Sequence, residues 1–167
     1  MTLKEAYSYS ISFLEGNGID EADFKSLCLV CHLCRIKNSE YAFHINDEVE
    51  PNRLDKALLL LKDGEPLQYV LGKWDFYESE FYVGRGVLIP RPETEELVET
   101  AIAFSKNFDQ PIIYVLCSGS GCIGISLARA IKGSKVYCVE KSEAAFEYLL
   151  KNSKIDNNVI AINDDIN

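Results

Sequence analysis

The chain has 167 residues, of which 47% are hydrophobic and 26% charged, and its net charge is -9. This composition is typical of one globular domain or of two small ones. The charge is spread evenly, because residues 1–72 hold 7 basic and 12 acidic side chains while residues 73–167 hold 10 and 14. Without a basic patch, direct binding to DNA or RNA is disfavoured, and a protein or a small molecule is the more natural partner.

The sequence also lacks the features of membrane and exported proteins. No stretch approaches the roughly eighteen apolar residues of a membrane span. The first thirteen residues include Lys4, Glu5 and several hydroxyl groups, where a secretion signal needs an apolar core. We therefore expect a cytoplasmic protein with no membrane contact.

The first part of the chain, to about residue 72, has the periodicity of α-helices. A first helix is predicted from Leu3 to Leu14, and Gly16-Asn17-Gly18 ends it. Asp20 is the expected N-cap of a second helix. The side of that helix predicted to face the core carries Phe24, Leu27, Cys28, Cys31 and Cys34.

Two further helical segments complete this part. Residues 39–43 are predicted to form a short turn of helix, and Pro51 lies near the start of a longer one that Gly64 ends. The residues of the longer helix that we expect to face inward are Leu54, Ala57, Leu58 and Leu61.

Three cysteines of the second helix need a separate interpretation. Cys28-Leu-Val-Cys31-His32 matches a haem-attachment string, and Cys34 adds a third thiol as in part of an iron–sulfur sequence. However, no fourth cysteine follows at cluster spacing, and free cysteine behaves as a small hydrophobic residue inside a helix. We therefore predict core packing and no metal site.

A β-hairpin is predicted from Trp74 to Val83, because the pattern becomes aromatic-rich and strand-like there. A helix then follows Pro92, which suits a first helical position. Its predicted apolar face is Leu97, Val98, Ala101 and Ile102.

Three charged residues at the start of that helix are candidates for lining an active site: Arg91, Glu93 and Glu95. Arg91 lies between two prolines, which fix the direction of its guanidinium group. The two glutamates also have a structural explanation, since acidic side chains in a first helical turn complement the helix dipole.

The segment from Pro111 to Glu140 has the pattern of a strand, a loop, a helix and a second strand. Ile112 to Leu116 is a continuous apolar run, typical of a parallel strand buried on both faces. Small residues follow, and a helical spacing resumes from Cys122, so that the helix N-terminus points at whatever occupies the loop. The candidate ligand-binding residues of this loop are Cys117, Ser118, Gly119, Ser120 and Gly121.

Glu140 ends the second strand about twenty residues after the loop, where a carboxylate can accept both hydroxyl groups of a ribose. Residues Gly119 to Gly124 match G-x-G-x-x-G, so an NAD-linked oxidoreductase is one interpretation. A site for S-adenosyl-L-methionine needs the same ribose carboxylate, and a structural turn without a ligand is a third interpretation. These residues alone do not decide among the three.

Three sequence blocks together resemble the HemK/PrmC family, the glutamine N5-methyltransferases of peptide-chain release factors. They are Glu65-Pro-Leu-Gln-Tyr-Val-Leu-Gly72, Val87-Leu-Ile-Pro-Arg-Pro-Glu-Thr-Glu95 and Leu116-Cys-Ser-Gly-Ser-Gly-Cys-Ile123. The order and spacing of the blocks match the family across essentially the whole chain, and the middle block is highly specific.

The resemblance implies an α/β protein in three parts. Residues 1–72 form a helical domain that docks the release factor, 73–88 a β-hairpin linker, and 89–167 the first part of a class I, Rossmann-like methyltransferase domain. It also implies that the loop binds S-adenosyl-L-methionine while Glu140 holds the ribose. The family orients the substrate amide with an Asn-Pro-Pro-Tyr motif, a catalysis of positioning.

Two departures from the family pattern matter. Val115 stands where the family usually has an acidic residue, which predicts weaker cofactor binding. No Asn-Pro-Pro-Tyr follows Asp164-Asp165-Ile166, a stretch that resembles the start of the family's acidic segment near the adenine. We therefore assign no catalytic residue and expect these 167 residues to be inactive by themselves.

The same argument predicts an incomplete parallel sheet of three strands, near residues 112–117, 135–140 and 158–163. An uncovered strand edge favours self-association. A non-catalytic module that binds release factors is the competing functional class.

Overall fold

The structure is a computed structural model that describes residues 1–166, so that Asn167, the last residue of the predicted methyltransferase part, lies outside the described residues. The chain forms two compact units, one from Met1 to Leu71 and the other from Gly72 onward. The predicted α/β class, with a helical N-terminal part, a β-hairpin and a Rossmann-like parallel sheet, is confirmed. Among residues 1–166, no helix has the length and apolar character that crossing a bilayer requires.

The first unit contains four helices and one 3₁₀ turn at Asn38–Phe43. Thr2 begins the first helix with a capping box, since its hydroxyl oxygen accepts from the Glu5 N–H at 3.2 Å while Glu5 accepts from the Thr2 N–H at 2.8 Å. The helices are α1 (Leu3–Gly16), α2 (Ala22–Cys34), α3 (Pro51–Lys62) and α4 (Leu67–Leu71). All four residues predicted to face inward from α3 are buried.

The start and inner face of α2 differ from the prediction. Asp20 is not the N-cap, because Glu21 precedes the helix in a left-handed conformation with φ 56°. Phe24 is 46% exposed, so its predicted inward position is wrong. The helix is rotated relative to the prediction, and its buried face includes Ala22, Ser26, Leu29 and Val30. Cys28 and Cys31 are buried as predicted.

The second unit begins with the predicted hairpin, in which β1 (Lys73–Phe76) pairs antiparallel with β2 (Ser79–Tyr82). Phe76 and Phe81 fix its inner face, because both rings are buried and their centroids lie 6.2 Å apart. A 3₁₀ turn at Pro92–Thr94 then leads into α5 (Glu95–Ser105). Leu97 of α5 is 55% exposed, contrary to the prediction, because Val98 occupies the centre of the buried face.

The remaining elements alternate between strand and helix. They are β3 (Ile112–Leu116), α6 (Cys122–Ala130), β4 (Lys135–Glu140), α7 (Glu143–Asn152) and β5 (Val159–Asn163). The three strands are parallel in the order β3-β4-β5, which places β4 at the centre. Since the carboxyl ends of parallel strands share one edge, the β3–α6 loop and the end of β4 lie at the same edge of the sheet.

Among residues 1–166, helices pack against one face of this sheet. The row Ile113, Val136 and Val159 and the row Val115, Cys138 and Ala161 face the clusters formed with α6 and α7. On the opposite face, Ile112 and Tyr114 are each 63% exposed and Leu116 is 54% exposed. The prediction that β3 is buried on both faces is therefore wrong, because no element among the described residues packs over its second face.

Candidate functional site

The loop that follows β3 has an unusual backbone conformation. Gly119 and Gly121 have positive φ angles of 55° and 82°, which glycine adopts without strain. Cys117 also has a positive φ, 54°, although it carries a side chain, and that side chain is exposed. A non-glycine residue in this region costs free energy and is found preferentially at functional sites. The conformation therefore supports the loop as a candidate binding site.

The first half of the loop is held by the end of β4. The backbone N–H of Ser118 donates to the Val139 carbonyl at 3.0 Å, and the Ser118 hydroxyl donates to the same carbonyl at 3.2 Å. Gly119 N–H donates to Glu140 Oε2 at 2.8 Å. The structure thus brings Glu140 against the loop, as the strand–loop–helix–strand spacing predicts.

Glu140 uses both carboxylate oxygens within the protein. Oε2 accepts from Gly119, and Oε1 accepts from the Ser142 N–H at 2.8 Å. Each carboxylate oxygen has about two lone-pair sites, so both retain the capacity to accept from a hydroxyl group. Because Glu140 is partly exposed, a ligand in the loop can reach it.

The second half of the loop is held by α7. The side-chain amide of Asn152 donates to the Ser120 carbonyl at 2.9 Å, and both residues are buried. A β-carbon on Gly121 would lie 2.5 Å from Leu149 Cδ1, so α7 also limits the residue that fits there. Sequence reasoning missed Asn152, because an asparagine at the end of a helix is ordinary and its partner is 32 residues away in the chain.

Helix α6 begins directly after the loop and packs very closely on the sheet. A β-carbon on Gly124 would overlap Cys138 Sγ and would lie 3.4 Å from side-chain atoms of both Val115 and Val136. This close approach keeps the first turn of α6, whose N–H groups point towards the loop, at the edge where the loop lies. The side chain of Val115 therefore lies on the face of β3 that packs against α6.

The buried thiols behave as core residues. Burial raises the pKa of Cys138 to about 12 and that of Cys31 to about 11, and it also raises the pKa of Cys122. A raised pKa disfavours the thiolate that metals and nucleophilic reactions require. In the part of the chain that the structure describes, no three His, Cys, Asp or Glu side chains are grouped so that they could hold a metal ion.

The three candidate lining residues lie before and at the start of α5. Arg91 and Glu93 are both exposed; Arg91 precedes the 3₁₀ turn with an extended backbone, and Glu93 lies within the turn. Glu95 Oε1 accepts from the Tyr77 N–H at 3.0 Å, which fixes the turn of the hairpin. The structure thus gives Glu95 a structural contact, whereas it places Cys117–Gly121 next to Glu140 at one edge of the sheet.

Comparisons with known proteins agree on the kind of protein this chain resembles. The PrmC N-terminal domain model matches residues 5–72. A release factor glutamine methyltransferase of Fusobacterium nucleatum is 31% identical over 160 residues, which cover 92% of this chain and 45% of that protein. One from Thermodesulfovibrio yellowstonii is 34% identical over 134 residues, or 77% of this chain and 48% of that protein. The chain spans about half the length of the curated relatives it matches.

A solved structure similar to this chain is M. jannaschii TYW2 in complex with AdoMet. It is 26% identical, with a TM-score of 0.45, over 55% of this chain and 42% of that protein.

Proposed function

We propose, from the premise that this chain belongs to the family of the release factor glutamine methyltransferases, that Cys117–Gly121 and Glu140 bind S-adenosyl-L-methionine. The observation that carries the proposal is a hydrogen bond between two segments. The loop after β3, in which Cys117, Gly119 and Gly121 have positive φ angles, donates through Gly119 to the Glu140 carboxylate at the end of β4. This arrangement leaves backbone groups for the ligand and acceptor sites for the two ribose hydroxyls.

The local charge favours this ligand over a dinucleotide. Glu140 ends β4, Asp164 and Asp165 follow β5, and the nearby Lys141 ammonium is paired with Asp165 at 2.6 Å. A pyrophosphate would bring further negative charge to this edge, whereas a sulfonium brings positive charge. Bound there, S-adenosyl-L-methionine would supply an activated methyl group.

The reaction we propose for the whole protein is N5-methylation of a glutamine side chain in a peptide-chain release factor. Support comes from the relatives that match most of the chain and from the N-terminal domain that the family model covers. We propose that residues 1–72 contact the release factor, and a cytoplasmic location belongs to the same proposal. Direct contact with nucleic acid is not part of it, since the chain has a net charge of -9.

Ligand binding tests the central claim. We expect S-adenosyl-L-methionine, and not NADH, to raise the thermal unfolding midpoint of the chain. Glu140→Gln should weaken the affinity measured by calorimetry by about tenfold or more, since a charged hydrogen bond contributes about 1.5–3 kcal/mol. Glu143→Gln is the matched control, because Glu143 is exposed in the first turn of α7. Stabilisation by NADH alone would contradict the assignment.

We further propose that a polypeptide of these 167 residues binds the cofactor without turning it over, because it contains no Asn-Pro-Pro-Tyr to orient the glutamine amide. A methylation assay with radiolabelled cofactor and a release factor tests this. Incorporation of label by protein whose mass is confirmed would show that other residues orient the amide. Retention of the release factor without turnover is expected both of a methyltransferase polypeptide without the motif and of the non-catalytic binding module.

Self-association through the uncovered part of the sheet is the remaining proposal on partners. Tyr114 and Leu116 present apolar side chains on the exposed face of β3, which is also an edge strand. We expect sedimentation to give a molar mass that rises with concentration, and Tyr114→Lys to reduce the rise. A mass that stays monomeric at all concentrations would refute it.

A further inference from the structure

The side chain of Asn152 connects two segments that are distant in sequence. Asn152 ends α7, and its side chain is fully buried. Its Oδ1 accepts from the Tyr82 N–H at 2.8 Å, while its Nδ2 donates to the Tyr82 carbonyl at 3.0 Å and to the Ser120 carbonyl at 2.9 Å. One amide group therefore joins the hairpin strand β2 to the loop of the candidate cofactor site.

We propose that Asn152 is a positioning residue for cofactor binding, which holds the second half of the loop and couples it to the hairpin. The proposal rests on the proposed function of the loop. It adds to that function a residue that lies outside the loop. It also predicts that binding of the cofactor in the loop stabilises the hydrogen bonds between Asn152 and Tyr82 of β2.

The contacts require an asparagine. Three backbone groups converge on this side chain, one donor and two acceptors, and the primary amide offers one oxygen and two N–H groups. Aspartate would place a carboxylate against the carbonyls of Tyr82 and Ser120. Serine is too short and has a single donor, and leucine would leave all three backbone groups unpaired in a buried place.

Different elements hold the two ends of the loop, and one hydrogen bond joins the ends, from the Gly121 N–H to the Ser118 carbonyl at 2.8 Å. Val139 and Glu140 fix Ser118 and Gly119 from the end of β4, whereas Asn152 fixes Ser120 from α7. Losing Asn152 should therefore release the second half of the loop while the first half keeps its hydrogen bonds.

On the hairpin side, Asn152 pairs with both backbone groups of Tyr82 as a neighbouring strand would. The segment after Tyr82 lies against α7 as well, because a β-carbon on Gly86 would be 2.8 Å from Ala144 Cβ. The Lys151 ammonium also lies 3.5 Å from the centroid of the Tyr82 ring. Through these contacts, β2 and α7 form the support on which the second half of the loop rests.

The first test uses the unmodified chain and NMR. The side-chain NH₂ of Asn152 should give a protected pair of signals that shift when S-adenosyl-L-methionine is titrated, and the Tyr82 amide should exchange with solvent more slowly in the bound form. If the amide of Gly119 responds to ligand while both the Asn152 and Tyr82 signals do not, the proposed coupling is wrong.

The second test compares Asn152→Asp and Asn152→Ser with Asn107→Asp, in which the same chemical change is made at an exposed residue after α5. In the Asn152 variants, we expect the Gly121 amide to exchange about tenfold or more faster, while the Ser118 amide keeps its rate, and cofactor affinity to fall by a similar factor. A general loss of stability would instead accelerate both amides, and that result would overturn the positioning role.

The exchange rates separate this proposal from the function on which it rests. If the unmodified chain does not bind S-adenosyl-L-methionine, the cofactor assignment fails, and selective release of Gly121 in the ligand-free variants still decides whether Asn152 positions the loop. If the aspartate variant does not fold, the serine variant and the titration of the unmodified chain give the answer. Unchanged Gly121 exchange in a folded variant refutes the role.

Discussion

The two faces of the three-stranded sheet contrast in packing although both are apolar. On the face under α6 and α7, Val136 and Cys138 are fully buried. On the other face, the rows containing Tyr114 and Leu116 have no helix over them among the described residues, and both side chains are more than half exposed. The stacked rings of Tyr114 and Tyr137, with centroids 4.9 Å apart, cover part of that face from within the sheet.

The contrast shows that the apolar residues of a strand indicate which faces of the sheet are suited to burial. They do not show which of those faces is packed against a helix. Burial of apolar area is the main stabilising contribution, at about 25 cal/mol per Å². Substitutions on the covered face should therefore destabilise the fold strongly, and those on the exposed face should affect stability weakly but association more.

The largest expected effect comes from placing the same charge on both faces. Val136→Asp would bury a carboxylate without a partner and should lower the free energy of unfolding by about 3–5 kcal/mol. Ile112→Asp, on the exposed face beside Lys135, should change it by less than about 1 kcal/mol. Urea unfolding of both variants measures the difference, and equal losses would show that both faces are covered in solution.

A second prediction concerns how closely α6 approaches the covered face. Gly124→Ala should destabilise by about 1–2 kcal/mol, because overlap with Cys138 Sγ outweighs the gain in helix propensity. Gly16→Ala is the matched control, since nothing lies within 4 Å of a β-carbon at that helical position.

A double variant isolates the contact. In a Cys138→Ala background, Gly124→Ala should cost less than in the unmodified chain, because the sulfur atom is gone. The same cost in both backgrounds would mean that the overlap with Cys138 is not the cause.

Much of the site could be predicted from local spacing. Gly119 follows the first strand of a strand–loop–helix–strand unit and Glu140 ends the second. Because the two strands are parallel, both residues lie at one edge of the sheet, where they form a hydrogen bond. Asn152 could not be found in this way, because it contacts Tyr82 across 70 residues and Ser120 across 32. Such contacts depend on how α7 packs, which no local pattern records.

The errors in the fold have a related cause. Phe24 and Leu97 belong to apolar faces that are wide enough for either of two rotations of the helix. In the folded chain, tertiary packing favours the rotation that buries neighbouring residues, such as Ser26 in α2 and Val98 in α5. Similarly, the hydrogen bond of Glu95 to Tyr77 is invisible in a sequence where an acidic first turn already has a sufficient explanation.

A third prediction concerns the exposed face. Tyr114→Thr removes the stacked ring but keeps a residue with good strand propensity, so the free energy of unfolding should fall by only about 1 kcal/mol. Thermal unfolding at low protein concentration measures this cost apart from association. A loss as large as that of Val136→Asp would indicate that Tyr114 is buried in solution, which contradicts the contrast between the faces.

The last prediction is a dependence of stability on pH to which the covered face contributes through Cys138. Burial, with a smaller contribution from Cys122, raises the pKa of Cys138 from 9.0 to about 12 in the folded chain. The folded state therefore keeps a proton that the unfolded state releases, so that this stabilising contribution is complete below pH 9 and is lost as the pH rises towards 12. Other groups with raised pKa values, Cys31 and Tyr7 among them, titrate in the same range, and only a difference between variants is informative.

We expect the destabilisation caused by Cys138→Ala to shrink between pH 8 and pH 10.5, whereas that caused by Tyr114→Thr should stay constant. If the Cys138→Ala difference does not change with pH, the thiol ionises as readily in the folded chain as in the unfolded chain, and the covered face admits more water than its burial indicates.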